Sequence, residues 1–190
     1  MNKSDLRKLY KEKRQQLTPK EINRFNDLIL INFQHLDLPF IYYLHTYLAI
    51  EENREVPTDQ ILSYMEFRNP DMKVVVPKTD FNTGNLTHFL ADENTLFEKN
   101  NYNIPEPVNG EIIATDKIDL VIVPLLAFDE KGYRLGYGKG FYDRFLSQCN
   151  NTTLKIGLSY FDAVASISDT HQFDLPLTHC ITPHRIYEFD

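Results

Sequence analysis

The chain has 190 residues, 42% of them hydrophobic and 13% aromatic, which suffices for one well-packed core and is short for two, so a single domain over 1–190 is expected. A formal net charge of −7 lacks the basic footprint of a general nucleic-acid binder, although a basic pocket can sit within an acidic exterior. No apolar run reaches the length of a membrane span, the amino terminus lacks the apolar segment of a signal peptide, and Cys149 and Cys180 have neither metal-site spacing nor a disulfide-rich context; these features predict a cytoplasmic protein with reduced thiols and no nucleic-acid or membrane partner.

Ser4 can cap a first helix on which Leu6, Leu9, Tyr10 and Leu17 fall roughly on one face. Lys3, Arg7, Lys8, Lys11, Lys13 and Arg14 make this segment strongly basic, and a solvated face is the plain reading for most of them. Thr18-Pro19-Lys20-Glu21 is a helix start, with Thr18 as cap, Pro19 in the first helical position and Glu21 completing a capping box. Ile22, Phe25, Ile29, Phe33 and Leu36 then recur at helical spacing as a core-facing stripe, and Pro39 ends the helix. Residues 41–50 are rich in aromatic and β-branched side chains and predict a strand, followed by a charged loop over 51–55. Pro57 opens a third helix through Ile61, Leu62 and Met65 that stops before Pro70. Residues 73–77 form the next strand and 86–90 an exposed or edge strand, with a turn around Gly84 between them. Asparagine and proline make 100–109 an irregular loop fixed by Pro105 and Pro107.

Residues 119–124 read as a buried strand closed by Pro124. Arg134-Leu135-Gly136-Tyr137-Gly138-Lys139-Gly140-Phe141-Tyr142-Asp143-Arg144 follows, a glycine-rich turn running into a helix that extends to about Cys149. Alternating glycines admit a ligand close to the main chain, the helix start offers free amides, and Arg134, Lys139 and Arg144 add positive charge. Together these describe a polyphosphate cradle, beside which the carboxylate of Asp143 would suit Mg2+. The residues alone leave a second reading open, a glycine-rich hairpin with solvated charges, since neither the Rossmann nor the Walker spacing is present. Residues 154–160 predict another buried strand, and His171, Asp174, His179 and His184 near the end lack the spacing of a zinc site. Strands alternating with helices predict an α/β fold, one three-layer α/β/α domain with a largely parallel central sheet.

Pro124-Leu125-Leu126-Ala127-Phe128-Asp129-Glu130-Lys131-Gly132-Tyr133-Arg134, with the glycine stretch after it, closely resembles the signature of the 5-formyltetrahydrofolate cyclo-ligases, also called methenyltetrahydrofolate synthetases. Lys3-Ser4-Asp5-Leu6-Arg7 looks like the family's Lys-x-x-Leu-Arg, and Glu55-Val56-Pro57-Thr58 resembles its Glu-hydrophobic-Asp-Thr element. Val76-Pro77 and Tyr102-Asn103-Ile104-Pro105-Glu106-Pro107 resemble two further segments in the same order, so the likeness covers nearly the whole chain. One departure is Phe173-Asp174, where the family usually shows His-Asp.

The resemblance implies ATP and Mg2+ as cofactors and 5-formyltetrahydrofolate, free or polyglutamylated, as the substrate of a monomeric enzyme. By the same resemblance Lys3, Arg7, Arg134, Gly136, Gly138, Lys139, Gly140, Phe141, Tyr142 and Asp143 bind ATP, Asp143 holds the metal, and Tyr142, Lys139 and Arg134 serve the reaction. Glu55 and Tyr102 would then bind the folate, Glu55 by hydrogen bonds to the pterin and Tyr102 by stacking. Two other functions fit a glycine cradle: a sugar-phosphate isomerase, which would need a carboxylate base but no ATP, and a non-catalytic sensor of a phosphate ligand.

Overall fold

A computed structural model of the chain describes residues 1–100 and 104–189. Its elements are α1 (Lys3–Gln16), α2 (Pro19–Gln34), β1 (Tyr43–His45), α3 (Asp59–Arg68), β2 (Lys73–Asp80), β3 (Asn85–Ala91), β4 (Phe97–Lys99), β5 (Pro105–Pro107), β6 (Leu120–Val123), β7 (Ala127–Phe128), β8 (Arg134–Leu135), α4 (Phe141–Leu146), β9 (Leu154–Leu158), β10 (His179–Ile181) and β11 (Ile186–Glu188). Seven strands form one sheet in the order β11-β10-β9-β6-β1-β2-β3. The five inner strands pair in parallel, and the outermost pair on each side is antiparallel. This is the largely parallel α/β sheet that the alternation of elements predicts.

The central strand β6 explains why the sheet is covered on both faces. All four of its residues are buried, as a parallel strand between helical layers requires. Leu120 and Ile122 point into a core with Ile29 and Phe33 of α2 and Ile61 and Met65 of α3. Val121 and Val123 point the other way, toward Phe145 and Leu146 of α4. A third cluster joins Leu6 and Tyr10 of α1 to Leu126, Ala127 and Leu135 of the β7–β8 hairpin, so α1 is pinned over the segment that leads into the glycine turn.

The start of α2 is as its sequence dictates: the Glu21 amide donates to Thr18 Oγ1 at 3.3 Å and the Thr18 amide to Glu21 Oε2 at 2.8 Å. Several boundaries differ from expectation. Asn2, not Ser4, caps α1, because two residues earlier its side chain already accepts from the Asp5 amide at 2.9 Å. The strand expected over 41–50 is short, since beyond Thr46 the chain peels off the sheet and Tyr47 sends its hydroxyl to Val56 O at 2.6 Å. Pro57 lies outside α3, which begins at Asp59 after Thr58. Helix α4 stops at Leu146, short of Cys149, and the strand expected to reach Tyr160 ends at Leu158, where Ser159 Oγ turns back to Phe161 O at 2.7 Å. The proline-rich loop contains β5, paired with β4, and its Glu106 carboxylate accepts from the Thr79 amide at 2.8 Å, fastening the loop to the end of β2.

The core also takes in titratable side chains. His45 and His88 lie with ring centroids 5.1 Å apart against Phe145, and burial lowers both rings, His88 to about 4 and His45 well below the ordinary value. Cys180 is fully buried in β10 with its thiol pushed well above the usual value, while burial raises half-buried Cys149 to about 11. No helix among the described residues is long and apolar enough to cross a membrane.

Candidate active site

Past the carboxyl ends of the parallel strands β1 and β6 the chain opens into a cleft of about 380 Å³, at the place where open α/β sheets bind ligands. The glycine turn between β8 and α4 forms one side of it, the residues after β1 another, and β2, the turn after it and β3 contribute Thr79, Phe81 and Leu86. Two chemically different ends result.

At one end the turn runs from Gly136 to Gly140. Gly138 and Gly140 have φ of 93° and 71°, and a Cβ there would lie 3.1 Å from the Arg7 guanidinium carbon and 3.0 Å from Arg144 Nη1, so the turn needs glycine twice, for its backbone and for its neighbours. Arg7 Nε donates to Gly136 O at 3.0 Å, which draws α1 against the turn, and Lys3 one turn earlier reaches the same cleft. The Lys3 ammonium pairs with Asp174 at 2.5 Å, and its amide donates to Asp169 Oδ1 at 2.7 Å. Burial works to raise the Asp174 carboxyl, but the hydrogen bonds from Lys3 and the His171 amide prevail and hold it below its ordinary value. Arg134 is buried; its Nη2 pairs with Asp143 Oδ1 at 2.7 Å and its Nη1 donates to Leu175 O at 2.6 Å. Lys139 is exposed at the crest of the turn. Arg144, expected to add charge to the cradle, acts instead as a brace: Nε donates to Gly84 O at 2.7 Å and Nη2 to Lys139 O at 2.9 Å, tying the β2–β3 hairpin tip to the turn. Phe141 packs edge-on against Phe81 with centroids 5.6 Å apart.

At the other end stands Glu55, on a loop whose preceding residue Arg54 has φ of 47° and sends its guanidinium to the carbonyls of Gln15 and Leu17 at the end of α1. Glu55 Oε2 accepts from the Ile50 amide at 2.8 Å, and Oε1 accepts a short hydrogen bond from Tyr137 of the glycine turn. Burial raises the Glu55 carboxyl, against the lowering effects of Tyr137, the Ile50 amide and Arg14. Tyr142 lines the cleft, and its hydroxyl is a buried polar atom with no protein partner among the described residues. Burial pushes that phenol far above its usual value, so it is a neutral hydroxyl whose proton has no acceptor among the described residues.

The fold therefore brings Lys3, Arg7, Glu55, Arg134, Gly136, Gly138, Lys139, Gly140, Phe141, Tyr142 and Asp143 to one cleft, while Tyr102 lies outside the described residues. Asp174 also lines the cleft, a placement that sequence spacing did not signal. Of the other members of the carboxy-terminal group, His171 stays beside Asp174, to which its amide donates at 2.6 Å, whereas His179 lies 3.9 Å from Glu188 and His184 is 3.0 Å from Asp162. No three acidic, histidine or cysteine side chains among the described residues could enclose a metal. Mg2+ is ordinarily held by one or two carboxylates together with phosphate oxygens and water, and the partly exposed Asp143 beside a glycine turn fits that donor set.

Comparison with known proteins gives a consistent answer. The sequence model of the 5-formyltetrahydrofolate cyclo-ligase family matches residues 1–183. A 5-formyltetrahydrofolate cyclo-ligase of Escherichia coli strain K12 is 31% identical over 112 residues, 57% of this chain and 62% of that protein, so the matched stretch spans under two thirds of that relative. The Mycoplasma pneumoniae 5-formyltetrahydrofolate cyclo-ligase is 29% identical over 163 residues, 84% of this chain and 86% of its own. Among solved structures, the 5,10-methenyltetrahydrofolate synthetase of Aquifex aeolicus superposes with a TM-score of 0.81 at 26% identity, covering 99% of this chain and 93% of that one. A 5,10-methenyltetrahydrofolate synthetase from Mycoplasma pneumoniae gives 0.71 at 25% identity over 96% and 99% of the two chains.

Proposed function

Because the chain belongs to the 5-formyltetrahydrofolate cyclo-ligase family, we propose that it converts 5-formyltetrahydrofolate to 5,10-methenyltetrahydrofolate, consuming ATP and releasing ADP and phosphate. The observation that carries this reading is the lining of the cleft: a glycine turn flanked by Lys3, Arg7 and Lys139 suits a polyphosphate, and Leu48, Ile50 and Ile104 together with Glu55 suit a flat heterocycle.

The chemical need is a leaving group. A formamide carbon is a poor electrophile, and its oxygen does not depart unaided when the folate N10 amine attacks. Transfer of the γ-phosphoryl group of ATP to the formyl oxygen gives an imidate-like phosphate; N10 adds to its carbon and releases its proton to solvent or the departing phosphate, the carbon–oxygen bond breaks, and phosphate leaves as the five-membered ring closes. No protein nucleophile takes part. The residues position and stabilise, as is usual in phosphoryl transfer. Lys3, Arg7, Lys139 and the amides of the glycine turn bind phosphates, with Arg134 completing the charge from beneath. Asp143 holds Mg2+, which when bound neutralises phosphate charge. Tyr142 donates its unpartnered hydroxyl to orient the reacting groups, and Glu55 accepts from the pterin N–H groups. Tyr102 stacks on the folate by its resemblance to the family.

The test is a near-ultraviolet absorbance assay for methenyltetrahydrofolate, omitting protein, MgATP or 5-formyltetrahydrofolate in turn. An absorbance rise that needs all three is the expected result. Folded protein that binds MgATP yet gives no rise would assign the cleft to another substrate or to sensing.

A further inference from the structure

Arg14 is the most deeply buried cation of the chain at 3% exposed, and it is not part of the cleft wall. Its Nη2 donates to Leu125 O at 2.6 Å and its Nη1 to Tyr137 Oη at 3.1 Å. A guanidinium can only donate, so the phenol oxygen must accept from it, and the single phenol proton is left for the next acceptor, Glu55 Oε1. The chain of donors therefore has one direction, from Arg14 through Tyr137 to Glu55. With the Ile50 amide on Oε2, one lone pair of each carboxylate oxygen is occupied from behind. The remaining pairs are available to a ligand that presents two adjacent N–H donors, and only an ionised carboxylate accepts both.

Resting on the activity proposed above, we infer that Arg14 and Tyr137 are positioning residues that keep Glu55 ionised and aimed at the N–H edge of the pterin. Tyr137 sits on the glycine turn, so this relay also ties the loop that reads the folate to the loop that holds phosphate. The other ionisable groups around Glu55 are Tyr47 on its own side of the cleft, Tyr142 from α4, Tyr160 after β9, whose hydroxyl is 3.5 Å from Glu55 O, and Lys11 of α1, which lies over the Tyr137 ring. Their phenols are neutral at working pH, since burial raises Tyr160 to about 12 and pushes Tyr47 and Tyr142 up as well. Tyr137, the Ile50 amide and Arg14 are thus the groups that oppose the effect of burial on the carboxyl, and Tyr137 and Arg14 are the two side chains among them.

The experiment uses the full chain as wild type, Tyr137→Phe, Arg14→Met and Arg14→Lys, each checked for folding by its thermal midpoint. Glu55 is titrated in the ligand-free proteins by the infrared carboxylate band, with Glu55→Gln as the blank, and kcat/KM for 5-formyltetrahydrofolate is followed against pH. The expected result is an upward shift of the Glu55 midpoint and of the acid limb by about one pH unit in Tyr137→Phe and Arg14→Met. Arg14→Lys should restore part of it, and KM for MgATP should stay within about twofold. Folded variants whose Glu55 titrates as in wild type would overturn the inference, as would equal rises in both KM values with no change in pH profile. An infrared shift in a protein without formylfolate turnover would uphold the relay and overturn the activity instead. If Arg14→Met does not fold, Tyr137→Phe, which removes one oxygen, decides alone.

Discussion

At the phosphate end of the cleft, charges are held by charges: Lys3 by Asp174 and Asp143 by Arg134, with both carboxylates partly open to solvent. At the folate end, a half-buried carboxylate is held by a phenol, a main-chain amide and, at one remove, a guanidinium sealed from the cleft. The two ion pairs are largely buried, so each charge is compensated by its partner, and a multivalent anion with its metal could take over either partner. A buried hydrogen-bonded network is strong only as a complete set, so it is set before the ligand comes. On the proposed activity, the first end would rearrange when its ligand binds, whereas the second is already shaped by its hydrogen bonds.

The largest effect separating the two should come from Asp143→Ala. Removing this carboxylate should lower turnover by about a hundredfold or more and should also lower the thermal midpoint, because the buried Arg134 guanidinium loses its ion-pair partner. Wild-type-like rates would remove Asp143 from metal binding and erase the contrast. Next, Glu55→Gln should raise KM for 5-formyltetrahydrofolate about tenfold while KM for MgATP hardly moves. A matching rise in both would mean that the ends do not act separately. The smallest effect concerns the scaffold beneath Tyr142. In the unfolded chain His45 and His88 take a proton near the ordinary value of 6.5, whereas in the fold burial holds His88 at about 4 and His45 lower than usual. The unfolded state therefore binds more protons as pH falls, so stability is complete above about 6.5 and is lost from there toward about 4. The thermal midpoint should drop by several degrees between about pH 7 and about pH 5, and His88→Gln should flatten the slope. This slope marks how much of any acid loss of activity belongs to the fold and how much to Glu55.

What could be read from the sequence divides along the same line. The glycine turn, the capping box at Thr18 and the buried run of β6 are local patterns, and they fold as local rules require. Lys3 and Arg7, which both line the cleft, were marked out by their resemblance to the family's Lys-x-x-Leu-Arg and not by their spacing, which alone reads as a solvated face. Arg14 was not, since a basic residue in a basic helix reads as solvated; the available signal was its place in the series Lys3, Arg7, Tyr10, Arg14, which keeps it on the face that α1 buries. The partnership of Glu55 with Tyr137 spans 82 residues and that of Lys3 with Asp174 spans 171, distances at which a single sequence carries no pairing rule. Arg144 shows the converse, a cation in the right stretch that a carbonyl of the β2–β3 hairpin tip claims for bracing.

The state of the two thiols has a practical consequence. Cys180 is sealed within the sheet and Cys149 is raised to about 11, so at neutral pH neither supplies the thiolate that alkylating reagents require. The natural chain is therefore expected to label slowly with maleimide, which a labelling time course at neutral pH checks. A single cysteine introduced by Phe173→Cys, at a side chain 76% exposed beside Asp174 on the rim of the phosphate end, would carry a fluorophore there alone and turn the rearrangement of the ion pairs into an optical signal.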